Sequence, residues 1–249
     1  MKKTISLLLA LVMTFSLAAC GSQPAETPDT SDTPPAKSSS QQPEEQTPSE
    51  EQTPSEDQEP ADTTENGKSL VVYFSMPETT DPDNMTQEED NSVVVIDGEV
   101  LGNTQYVAYV IQENTGADIF RIEPETPYPT DHDTLVDLAA EEQDDNARPA
   151  IKDSIEDLEQ YDTIFIGYPN WWGDMPMILY TFLEQYDLSG KTIVPFNTHG
   201  GSGFSGTIGT IRELEPDAQV LDGLPISRND IQDARQEIVD WVSGLDIAA

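Results

Sequence analysis

The stretch Gly167-Tyr168-Pro169-Asn170-Trp171-Trp172-Gly173-Asp174-Met175-Pro176 follows a short apolar run, Thr163-Ile164-Phe165-Ile166. The run reads as a buried strand. Neighbouring side chains of an extended segment point opposite ways, so two adjacent tryptophans cannot both enter one core. At least one is expected over a cleft. Loops at the carboxyl ends of parallel strands are where open α/β sheets bind ligands, and a flat aromatic there suits a flat ligand.

Working outward, apolar runs and helix-spaced stretches alternate. Ser69 to Phe74 reads as a first strand buried on both faces. An acidic, Pro-containing segment runs from Ser75 to Asn91. Val93 to Ile96, Asp97-Gly98 and Glu99 to Leu101 then form the pattern of a tight hairpin. Gly102-Asn103-Thr104 opens a helix with Val107, Val110 and Ile111 on one face, and Gly116 is placed to end it. Asp118 to Ile122 reads as a second strand. Thr130 and Asp133 read as a capping pair before a helix carrying Leu135, Leu138 and Ala139. Thr163 to Gly167 is the third strand, and Pro176 precedes a helix over Met177 to Tyr186. Lys191 to Asn197 is the fourth strand, followed by a Gly-rich loop and a helix with Ile208, Ile211 and Leu214. Gln219 to Leu221 is a short fifth strand. Asp230 starts a last helix with Ile231, Ala234, Ile238, Trp241 and Val242. Five strands alternating with helices imply an α/β fold: a doubly wound, five-stranded parallel sheet with helices on both faces.

With strand order 2-1-3-4-5, the loops after strands one, three and four open on one crevice. Their motifs are Tyr73-Phe74-Ser75, Pro169-Asn170-Trp171-Trp172-Gly173-Asp174-Met175-Pro176 and Thr198-His199-Gly200-Gly201-Ser202-Gly203. On these motifs the chain from Lys68 to the last helix resembles the flavodoxin-like superfamily, and most of all a branch found in bacterial lipoproteins. That resemblance implies FMN as cofactor. Flavodoxins carry a Thr/Ser-x-Thr-Gly-x-Thr turn at the phosphate, where N–H groups and hydroxyls meet a helix N-terminus. Here the turn is split. Ser75 ends the strand, Gly102-Asn103-Thr104 starts the helix, and the 26 residues Met76 to Leu101 look inserted. Ser75, Gly102, Asn103 and Thr104 are therefore the expected phosphate end. Thr79 and Thr80 compete, but Glu78 and Asp81 beside them would repel a phosphate.

Trp171 and Trp172 are candidates to stack on the isoalloxazine ring. Asn170 and Gly173, with Pro169, can offer donors or contacts at its N5 and O4 side. Thr198, His199, Gly200, Gly201, Ser202 and Gly203 can meet the pyrimidine edge, with glycines allowing close backbone approach. His199 can bond that edge, pass a proton, or cap its own loop. His132, near a helix start, reads as structural. The three loops carry almost no Lys or Arg, so an anionic reduced flavin would be poorly stabilised and a low reduction potential is expected.

Other chemistries fit less well. His199-Gly200-Gly201 echoes an esterase oxyanion segment, but no His follows Ser205 and Gly-x-Ser-x-Gly is absent. The acids around Asp81 and Asp83 lack calcium-loop spacing, so no metal site is expected. The expected role is an FMN-binding electron carrier working with a redox protein or a small-molecule acceptor. An FMN-dependent NAD(P)H- or quinone-type oxidoreductase is the alternative within the flavin reading. A flavodoxin-like surface module without cofactor is the alternative outside it.

The rest of the chain sets location. Lys2 and Lys3 precede an apolar run, Ile5 to Leu17, too short to span a membrane comfortably. Leu17-Ala18-Ala19-Cys20-Gly21 resembles the lipobox of bacterial lipoproteins, with Cys20, the single cysteine, as the lipidated residue. Residues 1–20 are read as signal peptide and Gly21 to Asn66 as a disordered linker rich in Pro, Ser, Thr and Glu, with a repeated Glu-Glu-Gln-Thr-Pro-Ser unit. Gly67 to Ala249 is the flavodoxin-like domain, with 36 acidic and eight basic residues and a net charge of −28. Such a balance argues against nucleic acid, whose binding rests on basic residues. It leaves the lipid anchor as the one membrane contact, at the extracytoplasmic face of a bacterial membrane. In a bacterium that processes lipoproteins, the chain is expected to incorporate labelled palmitate and sediment with membranes, and Cys20→Ser to lose both.

Overall fold

The computed structural model describes residues 67–247; the signal peptide, Cys20 and the linker 21–66 lie outside the described residues. Strand β1 (Lys68–Tyr73) is followed by a short helix α1 (Gln87–Ser92) and a hairpin of β2 (Val93–Ile96) and β3 (Glu99–Gly102). Then come α2 (Asn103–Thr115), β4 (Asp118–Arg121), α3 (His132–Asp144), β5 (Tyr161–Pro169), α4 (Met177–Gln185) and β6 (Thr192–His199). The chain continues through α5 (Thr207–Leu214), β7 (Gln219–Val220), β8 (Leu224–Ser227) and α6 (Arg235–Ser243).

Alternation along the central strands builds two cores. Leu70, Val72 and Phe74 pack with Ile164 and Ile166 of β5 against Leu135 of α3, Ile178 and Leu179 of α4 and Ile211 of α5. Val71, Tyr73, Phe165 and Val194 face the other way, onto Val107 and Ile111 of α2 and Ile238 and Val242 of α6. A strand with apolar side chains on both faces must be covered on both, which is why helices lie on both sides of a parallel sheet. The order is β4-β1-β5-β6, with all pairs parallel and the last place shared by β7 and β8. This is the expected 2-1-3-4-5 arrangement with its fifth strand in two pieces.

Several details differ from the sequence reading. The fifth strand does not end at Leu221. Its first piece ends at Val220, and after Leu221-Asp222-Gly223 it resumes as β8, whose residues pair with the carboxyl end of β6, Phe196 with Leu224 and His199 with Ser227. Gly223 makes the break possible. Its φ is +75°, and a Cβ there would overlap the Pro195 carbonyl oxygen and lie 2.9 Å from the Phe204 ring. The segment before the hairpin is not wholly irregular, because Thr86 and Glu89 form a capping box that starts α1. At α3 the cap is Asp131, which accepts from the Thr134 N–H at 3.1 Å, rather than Thr130. Strand β5 is longer than Thr163 to Gly167 at both ends, carried on by ladder pairing with β6 as far as Pro169 and Thr198. The last helix begins as a 3₁₀ turn at Ile231 and becomes α-helical at Arg235. The expected hairpin is present, with φ of 52° at Asp97 and 86° at Gly98 closing a two-residue turn.

Gly223→Ala forces both an unfavourable φ and an overlap with backbone. It is expected to destabilise the domain by on the order of 2–3 kcal/mol, read as a lowered urea midpoint.

Candidate functional site

The carboxyl ends of β1, β5 and β6 lie side by side on one edge of the sheet, so the segments after them meet. Between them lies a cavity of ≈ 270 Å³, reaching from the start of α2 to the tip of the loop after β5. Of the expected residues, Ser75, Asn103, Thr104, Pro169, Asn170, Trp171, Trp172, Thr198, His199 and Gly200 line it, whereas Gly102, Gly173, Gly201, Ser202 and Gly203 do not. Gly102 acts one step back. It caps α2, and a Cβ on it would overlap Ser75 Oγ, so only glycine lets the helix start against the end of β1.

The two tryptophans have separate tasks. Trp171 packs edge-on against Phe74 and Tyr128, with ring centroids 5.4 and 5.7 Å away. Trp172 is 60% exposed. A tight turn separates them: Trp171 and Asp174 exchange backbone hydrogen bonds, and the two residues between have φ of 52° (Trp172) and 79° (Gly173). Positive φ is a costly conformation for a bulky residue. The turn holds the indole out of the core, and its Nε1–H donates to the Val136 carbonyl of α3 at 3.1 Å. The ring is thereby pinned beside an apolar wall of Leu135, Val136 and Ala139 that also lines the cavity.

Asn170 and Gly173 do not act as free donors toward a ligand. Asn170 Nδ2 donates to the Gly203 carbonyl and to Ser205 Oγ, both at 3.1 Å, and its Oδ1 accepts from Gly173 N–H. With Asn170 N–H on the Thr198 carbonyl at 2.8 Å, this side chain clasps the two loops together. Thr198 Oγ1 in turn lies 2.8 Å from Thr104 Oγ1, tying the third loop to the start of α2. His199 Nδ1 accepts the Gly201 N–H at 2.9 Å. Burial pushes its pKa below the ordinary histidine value, with Asp230 opposing, so the neutral ring carries its proton on Nε2 at pH 7. Such a ring caps its loop and can still donate a hydrogen bond. It is poorly suited to deliver a proton.

Sequence reading missed several lining residues. The α3 wall is a helix face whose spacing matches an ordinary core face. His132 sits in the cavity with Nδ1 2.9 Å from Glu78 Oε2, and burial raises the Glu78 pKa while His132 opposes the rise. Glu88, Asn91 and Ser92 reach the cavity from the insertion. Arg228 reaches it from the end of β8, with its backbone N–H on the His199 carbonyl. The three loops themselves lack basic residues, as read, but the cavity does not. Arg228 brings one guanidinium to the cavity from outside the three loops.

A sheet of this order with a crevice at its switch point defines the doubly wound α/β class that binds mononucleotides. The chain belongs to the flavodoxin family: the family's sequence profile, described as Flavodoxin, matches residues 92–245. A curated relative, Flavodoxin 1 of Shigella flexneri, is 28% identical over 138 residues, covering 50% of this chain and 62% of that protein. The chain thus spans somewhat under two thirds of that relative's length. A crystal structure of a candidate flavoprotein from Bacteroides eggerthii is 29% identical, with TM-score 0.53, covering 72% of this chain and 100% of that one. One from Bacteroides uniformis is 27% identical, with TM-score 0.56, covering 72% and 99%.

Trp171→Ala, removing a ring from the Phe74–Tyr128 cluster, is expected to cost about 2–4 kcal/mol. Trp172→Ala should cost less than about 1 kcal/mol, since its ring is largely in solvent. Urea titrations followed by far-UV circular dichroism check the contrast.

Proposed function

We propose that this protein binds FMN in the cavity and works as an electron carrier, held by a lipid on Cys20 at the outer face of a bacterial membrane. The exposed Trp172 ring supports the reading most directly. A flavodoxin-family chain keeps a bulky aromatic at positive φ, out of the core, at the mouth of the crevice. The residues present fit the cofactor. Trp172 and the α3 wall offer flat apolar surface for the ring system. At the other end, Gly102 supplies no side-chain cap to α2, so the first-turn N–H groups of Asn103 and Thr104 remain for an anion, beside the Ser75 hydroxyl.

Bound there, the isoalloxazine supplies one- and two-electron chemistry that no side chain has. The chain's own residues do the remainder. Trp172 would cover one side of the ring and limit water there. The Asn170 clasp holds the loops after β5 and β6 at a fixed separation, so little reorganisation accompanies electron transfer. The neutral His199 offers Nε2–H as a hydrogen-bond donor without adding charge. An anchored carrier on a long acidic linker can search for redox partners near the membrane. A basic face on such a partner suits a domain of −28 net charge.

The full chain is expected to purify yellow, or to take up added FMN with the bound-flavin absorption spectrum. Trp172→Ala should weaken FMN by about tenfold with the fold intact. A colourless protein indifferent to FMN overturns the reading. Slow bleaching by NADH and NADPH in stopped flow is expected of a carrier, whereas rapid bleaching assigns the chain to the reductases.

A further inference from the structure

We propose that Arg228 is the cation that holds the phosphate of the cofactor, taking over from a phosphate loop that the insertion has divided; the inference rests on the FMN reading above. Eight basic residues stand in the described domain. Lys68, Arg148, Lys152, Arg212 and Arg235 each lie 2.7–3.0 Å from a carboxylate oxygen. Arg121 and Lys191 donate to the backbone carbonyls of Ser75 and Tyr161. Arg228 alone makes neither an ion pair nor a side-chain hydrogen bond among the described residues. In a domain with 36 acidic side chains, a basic side chain with neither a carboxylate nor a carbonyl partner among the described residues is the exception. It stands at the ligand cavity.

Its position selects the end of the ligand that it serves. The guanidinium lies over Gly200, 3.3 Å from where a Cβ would be. Arg228 and Asn91 are the two residues that line both this cavity and a neighbouring polar one of ≈ 320 Å³. The Asn91 carbonyl accepts from Asn103 Nδ2 at 2.9 Å. Arg228 therefore borders the part of the cavity where Asn91 and the start of α2 meet the loop after β6.

That end needs a cation. Its side-chain donors are largely engaged within the protein. Asn103 Nδ2 donates to the Asn91 carbonyl and Thr104 Oγ1 shares a hydrogen bond with Thr198 Oγ1, whereas Ser75 Oγ accepts the Gln105 N–H and keeps its own proton to donate. Asn103 Oδ1 is a buried acceptor with no partner, which repels rather than holds a phosphate oxygen. Glu78 and Glu88 add carboxylates to the same cavity. Two backbone N–H groups and one hydroxyl would otherwise face a dianion unaided. A guanidinium presents a planar fork of N–H donors that matches phosphate and stays charged at every relevant pH. The inserted segment delivers the carboxylates, and the second half of the fifth strand delivers the counter-charge.

The test compares FMN with riboflavin, which lacks the phosphate, on the full chain and on Arg228→Gln and Arg228→Lys. Dissociation constants come from quenching of flavin fluorescence at two salt concentrations, with circular dichroism to show that the variants are folded. Arg228→Gln is expected to weaken FMN about tenfold or more and riboflavin less than twofold, and to flatten the salt dependence of FMN binding. Arg228→Lys should recover part of the loss. An unchanged ratio of FMN to riboflavin affinity overturns the proposal, whether both fall together, as for a contact with the ring, or neither falls. If the unaltered chain binds neither flavin, the FMN reading fails first and takes this proposal with it; the two failures are told apart by the unaltered protein.

Discussion

Double burial of β1, β5 and β6 is the constraint on which the rest depends. Each strand sends alternate side chains into opposite helical layers, so none can slip by one residue without exchanging its two faces. Parallel pairing from Ser69–Thr163 to Tyr73–Gly167, and from Thr163–Thr192 to Pro169–Thr198, then brings three carboxyl strand ends to one edge of the sheet. The cavity is a consequence of that register. The loops need only bridge short gaps, and one amide, that of Asn170, suffices to clasp two of them.

Charge is distributed with the same economy. The domain carries far more acid than base, yet most basic side chains are neutralised locally at exposed ion pairs, which contribute little to stability individually. These pairs occupy five of the eight basic residues of a domain whose net charge is −28. Against that background a guanidinium at the cavity with no partner among the described residues carries more information than a cluster of lysines would on a basic protein. The neutral His199 fits the same pattern, since burial keeps charge off the loop that meets the ligand.

Legibility in the sequence followed the range of the forces involved. Strands β1, β5 and β6 were readable because burial on both faces leaves continuous apolar runs. The hairpin was readable from Asp97-Gly98, and the end of α2 from Gly116, because positive φ selects few residue types. The capping box of Thr86 and Glu89 was present in the sequence and was passed over beneath the acidic composition around it. The second half of the fifth strand was not readable: Leu224 to Ser227 is four residues with a proline, held by pairing with β6 across a glycine bend. Arg228 was missed with it. The α3 wall was missed because its spacing is that of any half-buried helix.

The sequence by itself determined the α/β class, the strand order and the three loops that meet, because these follow from local periodicity and from turn residues acting over a few positions. It also determined that two tryptophans stand where one must be exposed. Tertiary structure alone decided which one. Trp171 is drawn into the Phe74–Tyr128 cluster, and the turn at Trp172-Gly173 sends the second indole to α3. It also decided that Asn170 clasps loops instead of facing a ligand, and that Arg228 stands beside Gly200 with no partner among the described residues. Each of these depends on which group from a distant part of the chain arrives within hydrogen-bonding or packing distance, and no pattern within a few residues encodes that.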